Sequence, residues 1–129
     1  MARILVVDDE ESDRTRGRAI LEGAGHEVLF APDGEAALRI YRKQAIDLVI
    51  TDLAMPNLNG LRLIEQLREQ DGRALIIAVS GVSPEQFDRA RALGAVATMA
   101  KPFSPAELLQ AVGDALDTSY TPPPDDLWR

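Results

Sequence analysis

Asp47-Leu48-Val49-Ile50-Thr51-Asp52-Leu53-Ala54-Met55-Pro56-Asn57-Leu58-Asn59-Gly60 is the stretch from which the fold can be read. Leu48 to Ile50 is a short apolar run, the pattern of a strand buried on both faces. One carboxylate, Asp52, stands where that strand should end. Met55-Pro56 then prevents ordinary sheet from continuing. Gly60 opens a helical pattern that repeats apolar residues at Leu63, Ile64 and Leu67. In an open α/β sheet the carboxyl ends of the strands form the ligand edge. A strand that delivers a lone acid there makes Asp52 the candidate chemical centre.

The flanking sequence repeats the same strand-then-helix unit. Ile4 to Val7 is a continuous apolar run with β-branched members, expected as a central strand. Asp8-Asp9-Glu10-Glu11-Ser12-Asp13 follows, five acids in six residues, which suits the positive end of a helix dipole. That helix should stop near Gly23 or Gly25. Val28 to Ala31 reads as a second strand, and Asp33 as the N-cap of a helix through Ala36, Ala37, Ile40 and Tyr41. Leu75 to Val79 is the fourth strand, ending at Ser80-Gly81, and Ala95 to Met99 is the fifth. Ser83-Pro84-Glu85-Gln86 and Ser104-Pro105-Ala106-Glu107 each carry a capping-box signature with proline at the first helical position. The last helix places Leu108, Leu109, Val112 and Leu116 on one face. Five strands alternating with five helices call for a doubly wound α/β fold: a parallel sheet, right-handed crossovers and helices on both faces. The pattern holds over residues 1–117. Residues 118–129, with Pro122 to Pro124 and Trp128, are expected to form a flexible proline-rich tail.

Bulk properties narrow the function classes. A chain of 129 residues is the size of one domain with a real core. Its net charge of −7 argues against direct nucleic-acid binding, which needs clustered Lys and Arg. No cysteine is present, so thiolate chemistry and Cys-based zinc sites are excluded. One histidine, His26, cannot build a His-rich metal site, and its place at a strand start marks it as structural. Tyr41 and Phe87 are expected in the core. The N-terminal apolar run is too short for a signal peptide or a membrane span, so membrane insertion is not expected and the cytoplasm is the default location.

The strand ends present a set. The first gives Asp8 and Asp9, the third Asp52, the fourth Ser80, and the fifth Lys101 followed by Pro102. Converging carboxylates repel unless a cation lies among them. With oxygen donors alone, Mg²⁺ is the fitting ion. Lys101 and Ser80 would then suit an incoming phosphoryl group, one by charge and one by hydrogen bonding.

Val6-Val7-Asp8-Asp9-Glu10, Asp52-Leu53-Ala54-Met55-Pro56 with Gly60, Ser80-Gly81 and Lys101-Pro102-Phe103 together resemble the receiver domain of two-component response regulators, of the chemotaxis-regulator kind. The likeness covers roughly residues 3 to 117. It implies a flavodoxin-like (βα)5 fold with strand order 2-1-3-4-5. It also implies that Asp52 is the phosphoacceptor for a sensor histidine kinase or a histidine phosphotransfer protein. Asp9, Asp52 and the Ala54 carbonyl would hold Mg²⁺, with Asp8 acting through water. Lys101 would contact the phosphoryl group, Ser80 would be the switch hydroxyl, and the Lys101-Pro102 bond would be cis. The chain would be no enzyme beyond its own phosphorylation and dephosphorylation. It would act as a single-domain regulator through protein contacts or onward phosphotransfer, or else be a receiver cut from a longer regulator with a DNA-binding or enzymatic output domain.

Three positions depart from the family pattern or tune it. Thr98 stands where an aromatic switch residue is common, which puts coupling to a rotating ring in doubt. Ala54 and Val82 occupy positions that flank the path of an attacking water, and neither can orient one, which implies a long-lived phosphoryl group. Two rivals fail on the residues present. A haloacid-dehalogenase-type hydrolase needs an acid where Ala54 stands. A flavin site needs donors where Asp8, Asp9 and Glu10 would repel phosphate.

Overall fold

The alternating direction of successive side chains along each strand sorts the core into two layers. In a computed structural model, which describes residues 1–54, 59–81 and 84–118, five strands form one parallel sheet. They are β1 (Arg3–Val7), β2 (Glu27–Ala31), β3 (Leu48–Asp52), β4 (Ile76–Ser80) and β5 (Ala97–Ala100), in the order β2-β1-β3-β4-β5. The helices that alternate with them are α1 (Glu11–Gly23), α2 (Gly34–Lys43), α3 (Gly60–Gln70), α4 (Pro84–Leu93) and α5 (Pro105–Leu116). Leu5, Val7, Val49, Ile76 and Ala78 face Leu38, Leu63, Ile64, Leu67 and Ala90 of α2 to α4. Ile4, Val6, Leu48, Ile50, Ile77 and Val79 face Leu21, Leu108 and Val112 of α1 and α5. Successive residues of a strand point to opposite faces, so both sets must be apolar. That requirement is why these strands read as unbroken apolar runs.

Local chemistry fixes the helix ends. Asp33 accepts from the Ala36 N–H at 2.9 Å and Asn59 from the Arg62 N–H at 3.0 Å. Ser104 and Glu107 complete a reciprocal capping box, each bond 3.1 Å long. Gly25, at φ +94°, turns the chain after α1 into β2. His26 is structural, its Nδ1 accepting from the Ala2 N–H at 3.2 Å. Tyr41 and Phe87 pack against the core as expected.

Two strands are shifted from their sequence-based bounds. β5 starts at Ala97 rather than Ala95, because the Ala95 N–H bonds to the Ala90 carbonyl at 2.9 Å and closes α4. β4 runs on through Ser80, paired there with Ala100. The residues expected to break the strand, Met55-Pro56, lie outside the described residues. So do Val82, the Ser83 cap and the tail from residue 119 on.

Candidate phosphoacceptor site

Parallel register aligns the strand ends. Val7 pairs with Thr51, Asp52 with Val79 and Ser80 with Ala100. The ladder continues one residue past three of these strands: Asp8 N–H to Ala31, Leu53 N–H to Val79 and Lys101 N–H to Ser80, at 3.0 to 3.1 Å. The backbone that carries Asp8, Asp52 and Lys101 is therefore held by the sheet rather than left in a free loop. Gly60 lets α3 close on this edge. Its N–H donates to the Leu53 carbonyl at 3.1 Å, and a Cβ there would collide with the Asp52 carbonyl oxygen and the Leu53 Cα.

The side chains meet as the sequence suggested. Asp8, Asp9 and Asp52 each bring a carboxylate oxygen to within 4.8 Å of the others. Lys101 Nζ donates to Asp8 at 2.9 Å, to Asp52 at 3.0 Å, and to Asp13 at 2.9 Å. Asp52 also accepts from the Ala54 N–H, and Asp8 from the Glu10 N–H, each at 3.0 Å. Burial alone would lower the Lys101 pKa. Hydrogen bonds to Asp13, Asp8 and Asp52 outweigh it and hold the ammonium charged beyond the ordinary lysine range. Ser80 is fully buried at the neighbouring strand end, its carbonyl tied to Lys101. The Lys101-Pro102 bond is cis. Ala54 is exposed.

Asp13 is the member that sequence reading missed. It lies in the first turn of α1, where its carboxylate accepts from Lys101 Nζ. Its place in the first turn was accounted for by the helix dipole alone. Thr98 has a role of its own: its hydroxyl accepts from Arg91 Nη2 at 2.8 Å, joining β5 to α4.

The three carboxylates form a hard, all-oxygen donor set of the kind Mg²⁺ takes. Asp9 is exposed and stands outside the Lys101 bridge, so among the described residues it offers a carboxylate with no cation partner. The residues present therefore fit a divalent cation.

Comparison with known proteins converges on one family. The model of the response regulator receiver domain matches residues 4–113. The chain is 41% identical over 108 residues to the alkaline phosphatase synthesis transcriptional regulatory protein PhoP of Bacillus subtilis, covering 82% of this chain and 45% of that protein. It is 36% identical to the sensory/regulatory protein RpfC of Xanthomonas campestris, of which it spans 16%. The chain thus spans under half the length of these relatives. Among solved structures, the chemotaxis protein CheY4 of Vibrio cholerae superposes with a TM-score of 0.85 at 34% identity, covering 89% of this chain and 98% of that one. The response regulator TrrA of Thermotoga maritima, solved in complex with Mg²⁺ and BeF, gives 0.83 at 34% identity, covering 89% and 99%.

Proposed function

The chain belongs to the response regulator receiver domain family, and on that premise we propose that Asp52 accepts a phosphoryl group from the phosphohistidine of a sensor kinase or phosphotransfer protein. An Asp52 oxygen would attack phosphorus while the N–P bond breaks, leaving an acyl phosphate on Asp52 and a free imidazole on the donor. Lys101 would pair with the phosphoryl oxygens and the Ser80 hydroxyl would donate to one of them. Asp9, Asp52 and the Ala54 carbonyl would hold Mg²⁺, with Asp8 acting through water. Bound there, the ion would supply positive charge against the crowded acids and the incoming phosphoryl group.

The observation that carries this reading is the shared ammonium: Lys101 Nζ lies 2.9 Å from Asp8 and 3.0 Å from Asp52, although the three residues come from three strand ends. A cation already poised on the acceptor carboxylate is what a transferred dianion needs. The signal would leave through protein contacts or onward transfer, in the cytoplasm. A receiver that signals by itself is the first reading of the output. Coverage of 45% of PhoP favours a second reading, in which the same receiver governs an output domain.

Acetyl phosphate with Mg²⁺ tests the assignment by intact mass. The wild type should gain an acid-labile phosphoryl group and Asp52→Asn should gain none while staying folded. Phosphate located on Asp8 or Asp9 would overturn the assignment.

A further inference from the structure

The inner face of α1 reads Asp13, Gly17, Leu21 at intervals of four, so all three lie on one side of the helix. Asp13 reaches Lys101 and Leu21 is buried in the core. Gly17 between them is also buried, yet a Cβ built on it would meet no atom within 4 Å. The missing side chain leaves a cavity of about 260 Å³ beneath α1. Val6, Ile50 and Val79 of the sheet form its floor, and Leu21 and Leu108 its walls. Glycine inside a helix is less stable than alanine there, and an unfilled apolar space forfeits packing contacts as well.

One end of the cavity opens on Asp8, Asp13, Asp52 and Lys101. Arg16 borders the same end, where its Nη2 donates to the Phe103 carbonyl at 2.6 Å and its Cζ sits 5.3 Å from the Phe103 ring centroid. Even with Arg16 counted, the lining sets three carboxylates against two cations. The volume exceeds the roughly 150 Å³ of an apolar cavity that admits benzene. An apolar chamber with a few polar groups at one end is the usual form of a small-molecule site.

We propose that this cavity binds a small amine bearing a single aromatic ring, the ring lying under Gly17 and the ammonium at the acidic end, beside Lys101 and against Asp8 and Asp13. The net negative lining selects a cationic head over an anionic one. Such a ligand would engage carboxylates needed for phosphoryl acceptance and slow it, a consequence that rests on the function proposed above.

Titration of the isotope-labelled full chain with phenethylamine, without Mg²⁺ or phosphodonor, reads binding directly from backbone amide resonances. Saturable shifts are expected at Val6, Gly17 and Leu108. Ethylamine, which lacks the ring, and phenylacetate, which reverses the charge, should each bind about tenfold more weakly or worse. Gly17→Leu should abolish the shifts while the spectrum stays dispersed. If that variant does not fold, Gly17→Ala, whose added methyl enters open space, should weaken binding about threefold or more. No saturable shift at those amides, equal binding of either control, or full binding by the folded glycine variants would overturn the proposal. Phosphoryl acceptance from acetyl phosphate is read separately. A chain that binds the amine but takes no phosphoryl group sinks only the function, and the reverse result sinks only the cavity site.

Discussion

At Lys101 one ammonium is shared by three carboxylates, and this divides two adjacent acids that look alike in sequence. Asp8 is buried and accepts from both Lys101 and the Glu10 N–H. Asp9 is exposed and takes no part in the bridge. Hydrogen bonds to charged groups contribute about 1.5–3 kcal/mol each, and relief of repulsion offsets part of that loss when an acid is removed. Asp8→Ala should therefore lower metal-free stability by about 1 kcal/mol or more. Asp9→Ala should change it by no more than about 0.5 kcal/mol, or raise it. Urea unfolding in a chelating buffer checks both, and the reverse ranking would show that Lys101 does not organise the cluster. The sequence revealed that acids converge, because strand ends share an edge. It did not reveal that Lys101 is shared among three of the acids. A long lysine side chain can point to several places, and only the packed α1 puts Asp13 beside it.

Helix glycines carry the same lesson with opposite signs. In α3, Gly60 touches the backbone of β3, so Gly60→Ala should push the helix off Asp52 and cost about 1–3 kcal/mol, an overpacking penalty. In α1, Gly17→Ala adds a methyl to open space and removes a helix-interior glycine, so it should add about 0.5–1 kcal/mol. Chemical denaturation of the two variants side by side decides this, and effects of the same sign would defeat the reasoning. Between α2 and the turn after α3, Tyr41 donates to Asp71 at 2.7 Å. Burial and the Asp71 bond push the Tyr41 pKa up, while bonds from Tyr41 and the Arg73 N–H pull the Asp71 carboxyl down. A depressed carboxyl stabilises above its unfolded pKa of about 3.9 and loses that contribution as pH falls through the folded value. A raised phenol stabilises below about 10 and loses it as pH climbs through the folded value. Tyr41→Phe should thus cost about 1 kcal/mol near neutral pH, with the deficit shrinking below about pH 4 and above about pH 10. A deficit flat across that range would show that the bond contributes nothing. Helix starts were legible wherever a capping side chain announced them, as at Asp33 and Ser104. The start of β5 was not, because apolar Ala95 resembles a strand residue and only the α4 closure claims its N–H.

The alternation of apolar runs and capped helices dictates one parallel sheet, and a parallel sheet dictates that all its carboxyl ends share an edge. Architecture and site were therefore legible together, while the cavity under α1 was not, since a glycine in a helix does not say whether neighbours fill its place. Because the candidate site draws on β1, β3, β5 and α1, anything that binds it ties four elements at once. Ligand that binds only the folded chain stabilises it by RT ln(1 + [L]/Kd), about 2.7 kcal/mol at a hundredfold excess over Kd. For a domain of this size that is a rise in Tm on the order of 10 °C. Mg²⁺ should therefore raise the melting temperature of the unphosphorylated chain in a concentration-dependent way, reversed by chelation. Asp9→Ala should keep the metal-free Tm and lose most of the rise, since Asp9 stands outside the Lys101 bridge that holds Asp8 and Asp52. Lys101→Met separates this from general charge relief: it removes the internal competitor, so its metal-free Tm should fall while its Mg²⁺-dependent rise grows. If Mg²⁺ shifts the wild type and Asp9→Ala equally, the ion acts elsewhere on the acidic surface and the strand-end carboxylates are not its ligands.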